Sequence, residues 1–154
     1  MEDMTFTTAV ETPVEITIKF EDFEHMLISA LEGGSNYWYW LPEKGDREAE
    51  GMADVLKWAE DKECEGDKEF EGLAPSELIA RYVWEGGCVR VTEGNAQDEH
   101  ILLWALNRTN VKRGFKVMQE EYPRHWDDLQ RDNADAETAD VWFQCALMGE
   151  ITFG

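Results

Sequence analysis

The sequence has few of the features that mark secreted and membrane proteins. Its three cysteines are odd in number and lie far apart, which favours reduced thiols over a disulfide framework. No apolar run reaches the roughly 18 residues that a membrane-spanning helix needs. The first residues do not combine a basic stretch with a following apolar one, so no signal peptide is expected. We therefore expect a soluble intracellular protein.

Catalytic and metal-binding motifs are also missing. The sequence contains no G-x-x-x-x-G-K-[ST] phosphate loop, no dinucleotide-binding glycine pattern and no G-x-S-x-G motif. Its histidines, His25, His100 and His125, have no cysteine or second histidine at the spacing of metal ligands. The segment 131–140 is rich in carboxylates, but it lacks the glycine and the spacing of an EF-hand loop. We therefore expect no catalytic residue, no metal and no cofactor.

Negative charge dominates what the sequence does contain. Its 34 acidic and 14 basic residues give a net charge of −20. Such a field keeps a protein soluble and repels nucleic acids and anionic lipids, so we expect neither as a direct partner. Two interpretations stay open at this point. The acids form an ordinary solvated surface, or they mimic nucleic acid and bind a basic protein surface.

Alternating or continuous apolar patterns predict several short strands. Residues 14–20 and 88–95 alternate apolar and polar side chains, as half-buried strands do. Residues 100–106 form a continuous apolar run, which is typical of a buried strand. Residues 53–60 fit either a strand or a short helix, and we favour the strand. Residues 150–154 predict a short final strand.

Two helices are predicted in the first half of the chain from apolar residues at helical spacing. The first covers residues 21–34, and Gly33 and Gly34 supply its C-terminal stop. The second covers residues 74–87, with Ser76 as its N-cap.

The second half of the chain predicts two more helices. Residues 107–122 form one, which Pro123 ends. The other starts at the N-cap Asp135 and is apolar over most of its surface, so it is predicted to be the central helix. The combined pattern predicts an α+β fold. It is a single domain over residues 1–154, with a mostly antiparallel sheet and about four helices.

Positive charge is concentrated in one part of the chain. Residues 108–116 contain four basic residues and no acid. Helical residues four positions apart share a face, so several of these cations would lie on one side of a helix. They either pair with neighbouring acids or form a local anion site able to hold phosphate. The phosphate candidates are Arg108, Lys112 and Arg113.

A turn rich in glycine and aromatic residues, EGGSNYWYWLP, covers residues 32–42. Its glycines allow a close backbone approach, Asn36 offers a donor and an acceptor, and its rings can stack on a base. The four consecutive rings are predicted to enter a second strand with alternate rings inward and outward. One pair can fill the core, and the other then faces a surface, a cleft or an interface. The ligand candidates are Asn36, Tyr37, Trp38 and Trp40.

Two stretches, ALEGGSNYW at residues 30–38 and DAETADVWFQCALMGEITFG at residues 135–154, resemble a widespread family of small acidic bacteriophage and prophage proteins. The resemblance covers the first helix, the aromatic turn and the C-terminal helix, and it is weaker in the middle of the chain. The family has no assigned mechanism. The resemblance therefore implies a setting, an accessory phage protein in the cytoplasm of the bacterial host, where such proteins often counter host defence.

Two functions fit this setting. The first is a sponge that sequesters a nucleotide-derived immune signal without cleaving it, using stacking rings and a few cations, preferably at the subunit interface of a homo-oligomer. The second is an acidic nucleic-acid mimic that binds the basic surface of a host defence protein such as a CRISPR or restriction nuclease. We favour the sponge because the aromatic turn and the basic cluster occur together. That hypothesis requires the two to lie close in space.

Overall fold

The computed structural model describes residues 2–8, 14–45, 49–94 and 103–154. Within these ranges the chain forms six α-helices and five short strands. The helices are α1 (Phe20–Ser29), α2 (Met52–Cys64), α3 (Pro75–Trp84), α4 (Arg108–Glu121), α5 (Pro123–Gln130) and α6 (Ala136–Met148). The strands are β1 (Met4–Thr7), β2 (Glu15–Ile18), β3 (Tyr39–Trp40), β4 (Val89–Glu93) and β5 (Leu103–Leu106). A π-helical turn (Ala30–Gly34) extends α1, and a 3₁₀ turn (Lys68–Phe70) follows α2.

The strands form two small antiparallel sheets, which confirms the α+β class. β1 pairs with β2, and β4 lies between β3 and β5. The described residues contain more helices than the four expected, and their strands are divided between two sheets instead of one. The predicted strand at residues 100–106 is found from Leu103 onward, and residues 100–102 lie outside the described part of the chain.

The C-terminal helix α6 is the centre of the fold, as predicted. Nine of its 13 residues are buried, and it packs against α1, α4, α5 and β5. Asp135 caps its N-terminus by accepting a 2.9 Å hydrogen bond from the Thr138 backbone N–H. Gly149 ends it in the left-handed conformation at φ 78°, which glycine adopts without steric cost.

The predicted strand at residues 53–60 is wrong, because this segment belongs to α2. Val55 and Ala59 are buried one helical turn apart, while Leu56 is exposed. The Asp54 carboxylate accepts hydrogen bonds from the N–H groups of Gly45 and Gly51 at 3.1 and 3.0 Å. These bonds hold the pKa of Asp54 below its usual value. The two hydrogen bonds also fix the chain where α2 starts. The spacing of apolar residues does not predict them.

Two details of the predicted helices also need correction. Ser76 is not the N-cap of α3, which begins at Pro75. Its hydroxyl instead donates a 2.6 Å hydrogen bond to the Glu32 carboxylate. Pro123 follows α4 as predicted, but it also occupies the first turn of a further helix, α5. Proline suits that position because its missing N–H would have no partner within the helix.

Residues 150–154 do not form the predicted strand. The side chain of Gln144 on α6 takes the place of a strand partner. Its oxygen accepts hydrogen bonds from the N–H groups of Thr152 and Phe153, both at 2.8 Å. Its nitrogen donates to the Phe153 carbonyl at 3.1 Å. Gln144 therefore provides partners for three backbone groups of the tail without a sheet.

None of the described helices is long and apolar enough to cross a membrane.

Candidate functional site

A groove lined by basic residues runs between β1 and the first three turns of α4. Its wider part has a volume of about 480 Å³ and is lined by residues 5–7 together with Thr109, Lys112, Arg113 and Lys116. Its narrower part, about 350 Å³, is lined by residues 2–5 together with Arg108, Thr109 and Lys112. The two parts adjoin each other, because they share Thr5, Thr109 and Lys112 as lining residues. We call the two parts together the basic groove.

One face of α4 supplies the positive charge of the groove. Thr109, Lys112, Arg113 and Lys116 occupy positions i, i+3, i+4 and i+7 of the helix and therefore lie on the same side. The opposite side of α4 is buried through residues such as Val111. No acidic residue stands in the first turn of α4 to offset the charge.

Lys112 and Lys116 are the cations most available to a ligand. Lys112 is exposed and Lys116 is half-buried. Neither forms an ion pair with any residue in the described ranges. Glu2 and Asp3 line the narrower part of the groove together with Lys112, whereas the described residues that line the wider part include no acid, so these acids offset the positive potential mainly at the narrower end. The prediction of an anion site is therefore compatible with the geometry at Lys112, and Lys116 extends it.

The two arginines of the cluster also support the fold. The Arg108 guanidinium lies 4.9 Å from the centre of the Trp84 ring and donates a hydrogen bond to the Trp84 carbonyl. Arg113 donates a 2.6 Å hydrogen bond to the Ala146 carbonyl, near the C-terminus of α6. A guanidinium has five N–H donors, so each arginine keeps donors that these contacts do not use.

The wall opposite α4 is the edge of β1 that pairs with no other strand of the described residues. The Thr8 N–H donates to the Val14 carbonyl at 2.9 Å, and the Val14 N–H donates to the Thr8 hydroxyl at 2.9 Å, so these two residues face each other at a hydrogen-bonded position at the end of the hairpin. Such positions alternate with non-hydrogen-bonded ones along an antiparallel ladder. In the observed register, the backbone groups of Thr5 and Thr7 therefore point away from β2. Both threonines line the basic groove, and their side chains are exposed.

The aromatic turn serves mainly to hold the C-terminal tail against α6. Trp38 is only 4% exposed, and its ring stacks on Phe153 with centroids 4.9 Å apart and planes inclined by 12°. Its indole N–H donates a 2.8 Å hydrogen bond to Asp140. One face of the indole and its only donor are therefore already occupied.

Asp140 on α6 is the centre of this arrangement. One of its carboxylate oxygens accepts from the Ser35 hydroxyl at 2.7 Å and from Trp38. The other accepts from the Tyr37 hydroxyl at 2.6 Å and from the Gln144 amide at 3.1 Å. Partial desolvation, followed by the hydrogen bond to Asp140, raises the pKa of Tyr37 to about 12. Tyr37 is therefore a neutral donor at physiological pH.

Gly34 of the turn also has a structural role. A Cβ atom on Gly34 would lie 2.2 Å from the Ala136 carbonyl oxygen, so only glycine allows the turn to approach α6 this closely. The close backbone approach expected from the sequence is thus made to α6.

The predicted alternation of the four rings is wrong, because β3 begins only at Tyr39. Trp38 lies in the preceding turn and is buried. Tyr37 and Trp40 are 56% and 46% exposed, and Asn36 is exposed as well. Tyr39 is half-buried and donates a hydrogen bond to the Leu31 carbonyl. The outward rings are therefore Tyr37 and Trp40, which do not form an alternating pair.

The structure does not bring the aromatic turn and the basic cluster together. Asp140 binds the turn, whereas Ala146 packs against Gly114 of α4. At 100° per residue, side chains six positions apart on α6 project about 120° from each other. Tyr37 and Trp38 line a separate cavity of about 360 Å³ next to Glu93 and the tail residues 153–154. Within one chain, α6 thus separates the two sets of candidate residues.

Comparisons with known proteins give no match. No protein-family model matches the chain, no curated protein is similar to it, and no solved structure matches its fold. The resemblance to small phage proteins therefore stays a prediction. Among the described residues, no group of three or more His, Cys, Asp or Glu side chains is arranged to hold a metal ion.

The sequence did not predict the strand wall of the basic groove or all of its helix wall. Lys116 could have been included, because it follows Lys112 by one helical turn. Thr5 and Thr7 were not predicted, because β1 is only four residues long and acquires its place by pairing with β2. Nothing in the local sequence around Thr5 signals that α4 lies beside it.

Proposed function

We propose that the protein binds a small, nucleotide-derived phosphate ligand in the basic groove and holds it without converting it. The observation that supports this most directly is the pair Lys112 and Lys116, which lies in a groove and has no ion-pair partner among the described residues. In a protein of net charge −20, a local cluster of positive charge is unexpected unless it meets an anion. The exposed hydroxyls of Thr5, Thr7 and Thr109 add donors for phosphate oxygens.

The proposal includes no chemical step. The described residues that line the wider part of the groove are threonines, Phe6 and cations. They suit the binding of an anion, but they offer no carboxylate or imidazole to act as a general base. In the phage setting that the sequence predicts, such binding would sequester an immune signal in the cytoplasm of the bacterial host.

The structure changes which rings of the aromatic turn can stack on a ligand. Trp38 is enclosed by Phe153 and Asp140, so Tyr37 and Trp40 are the rings of the turn available to a base. Because α6 separates them from the basic groove within one chain, they could reach a ligand there only from a second copy. Light scattering with and without ligand tests this homo-oligomeric version. A monomeric complex would eliminate it and leave the groove proposal intact.

Calorimetry tests the proposed binding. The wild-type protein is titrated with AMP, ADP, cyclic dinucleotides and cyclic ADP-ribose isomers. The double variant Lys112→Glu, Lys116→Glu should lose the heat of binding, because two attractions become repulsions. The double variant Lys57→Glu, Lys68→Glu is the charge-matched control, since both lysines are exposed and neither lines the groove. Absence of heat and of thermal stabilisation across the whole panel would refute the proposal.

A second measurement separates binding from catalysis. The complex is denatured after incubation, and the released ligand is analysed by mass spectrometry. A sponge returns the ligand intact, whereas an enzyme returns a product. A cleaved ligand would therefore contradict the non-enzymatic proposal even if the groove binds phosphate.

An acidic inhibitor of a basic defence protein is the second candidate, and one observation favours it. The end of α2 and the following 3₁₀ turn, residues 60–71, carry seven acidic residues and two lysines. Six of these acids are exposed, and the seventh, Asp67, is half-buried. An exposed concentration of carboxylates can occupy a groove that binds nucleic acid.

Charge reversal tests this candidate. Glu60→Lys, Glu63→Lys and Glu65→Lys are combined in one variant, and Glu15→Lys with Glu150→Lys serves as a control on exposed acids elsewhere. The inhibition of CRISPR and restriction nucleases is measured at several salt concentrations. The candidate predicts that only the first variant loses salt-dependent inhibition. Equal inhibition by both variants would exclude it.

A further inference from the structure

We infer that the ligand of the basic groove carries two phosphate groups separated by a sugar, as in a linear dinucleotide. The inference rests on the proposed function and specifies its ligand. It follows from the similar spacing of two pairs of residues, Thr5 and Thr7 on the strand wall and Lys112 and Lys116 on the helix wall.

The strand wall offers two equivalent positions. The outward N–H groups and hydroxyls of Thr5 and Thr7 lie two residues apart along β1. Each residue of an antiparallel strand adds about 3.4 Å, so the two positions are about 7 Å apart. Each position has an exposed threonine hydroxyl and a backbone N–H that points away from β2.

The helix wall repeats at nearly the same interval. Lys112 and Lys116 are four residues apart on α4, which corresponds to a rise of about 6 Å along the helix axis. Thr5 and Lys112 line both parts of the groove, whereas Thr7 and Lys116 line only the wider part. The two walls therefore run in the same direction. Thr7 and Lys116 both lie towards the end of the groove that is away from Glu2 and Asp3.

This spacing discriminates between classes of phosphate ligand. Two phosphates joined through a ribose can reach both positions. The two phosphates of a diphosphate share one bridging oxygen and are too close together to do so. At the other end of the groove, Glu2 and Asp3 line the narrower part and disfavour an additional phosphate there.

A free strand edge also presents carbonyl oxygens, which repel phosphate and would suit an added peptide strand. The ammonium groups of Lys112 and Lys116 line the same cavity and offset that repulsion. The observations favour phosphate because both walls combine donors with cations. An acidic peptide is therefore included in the experiment as a competing ligand.

The experiment compares four adenylates with the wild-type protein by calorimetry. They are pApA, which has two phosphates separated by a ribose; ADP, which has adjacent phosphates and nearly the same charge; ApA, which has both bases and one phosphate; and AMP. We expect pApA to bind at least about tenfold more tightly than the others, because the second phosphate binds intramolecularly once the first is held. If ADP or AMP binds as tightly as pApA, the inference fails while the proposed function stands. If none of them binds, the inference fails, and with the wider nucleotide panel also silent the proposed function fails too.

Single variants test each position separately. Lys116→Met should reduce pApA affinity to that of ApA while leaving AMP bound at the Lys112 position. Thr7→Pro removes the outward N–H of an edge strand, where proline is tolerated, and should weaken pApA as well. Thr7→Val keeps the N–H and removes only the hydroxyl. Equal losses of pApA and AMP in Lys116→Met would overturn the two-position model, as would tighter binding of a poly-glutamate peptide than of pApA.

Discussion

The indole N–H of Trp38 donates a 2.8 Å hydrogen bond to the carboxylate of Asp140, across 102 residues of sequence. Trp38 belongs to the first stretch that resembles small phage proteins, and Asp140 belongs to the second. The two stretches therefore meet in space. Ser35 and Tyr37 from the first stretch bind the same carboxylate. The residues that carry the resemblance thus join the aromatic turn to α6.

We predict that Asp140→Ala destabilises the protein by about 3 kcal/mol. It removes the acceptor for Ser35 and Trp38, both buried, and each buried donor left without a partner costs about 1–3 kcal/mol. Asp140→Asn keeps one acceptor oxygen and should lose about half as much. Urea denaturation measures both, and Glu137→Ala on the exposed side of the same helix is the control. A loss no larger than that of the control would contradict the structural role of Asp140.

The tail provides a second prediction. Phe153→Ala removes the ring stacked on Trp38 and should cost about 1–2 kcal/mol, mostly from lost apolar burial. Ile151→Ala truncates an exposed side chain of the same tail and should change stability by less than about 0.5 kcal/mol. Hydrogen exchange adds a local measurement. The amide of Thr152, which Gln144 protects, should exchange faster in Phe153→Ala and at the wild-type rate in Ile151→Ala.

The sequence predicts an element correctly where the signals for that element lie within its own segment. β4, α4 and α6 were predictable because their apolar spacing, caps and stop signals lie within each segment. α5 was missed because it is only eight residues long, begins directly at Pro123, which marks the predicted end of α4, and has no buried residue. The final strand was predicted wrongly because the partner of the tail is a side chain, Gln144, in place of a strand.

The candidate site was predictable only in part, because helical periodicity is a local pattern and the position of α6 is not. The shared face of Lys112 and Lys116 follows from helical periodicity, and the structure retains it. The separation of the basic cluster from the aromatic turn depends on α6 lying between them. That arrangement is set by contacts such as Asp140 with Trp38 and Ala146 with Gly114, which no local pattern contains.

The contact between Gly114 and Ala146 leads to a third prediction. A Cβ atom on Gly114 would lie 2.7 Å from the Ala146 Cβ and 2.8 Å from its backbone N and Cα atoms. Gly114→Ala should therefore destabilise the protein by about 1–3 kcal/mol, although alanine favours helix formation. Gly33→Ala is a matched control, because no atom lies within 4 Å of its added Cβ. Thermal denaturation should show a lower melting temperature for the first variant only.

The N-cap of α6 makes a prediction that depends on pH. The hydrogen bond from the Thr138 backbone N–H is the main cause of the lowered pKa of Asp135. A carboxylate with a lowered folded-state pKa stabilises the protein above its unfolded value, about 3.9, and loses that contribution as the pH falls through the folded value. Asp135→Ala should therefore cost about 1 kcal/mol at pH 7 and progressively less below about pH 4.

Two further variants make the cap prediction specific. Asp135→Asn keeps an acceptor that does not titrate in this range, so its stability relative to Asp135→Ala should not depend on the ionisation of residue 135. Asp61→Ala removes an exposed carboxylate on α2 and controls for net charge. Urea denaturation between pH 3 and pH 7 compares the four proteins. A constant difference between wild type and Asp135→Ala across that range would show that ionised Asp135 contributes no more to the cap than its neutral form.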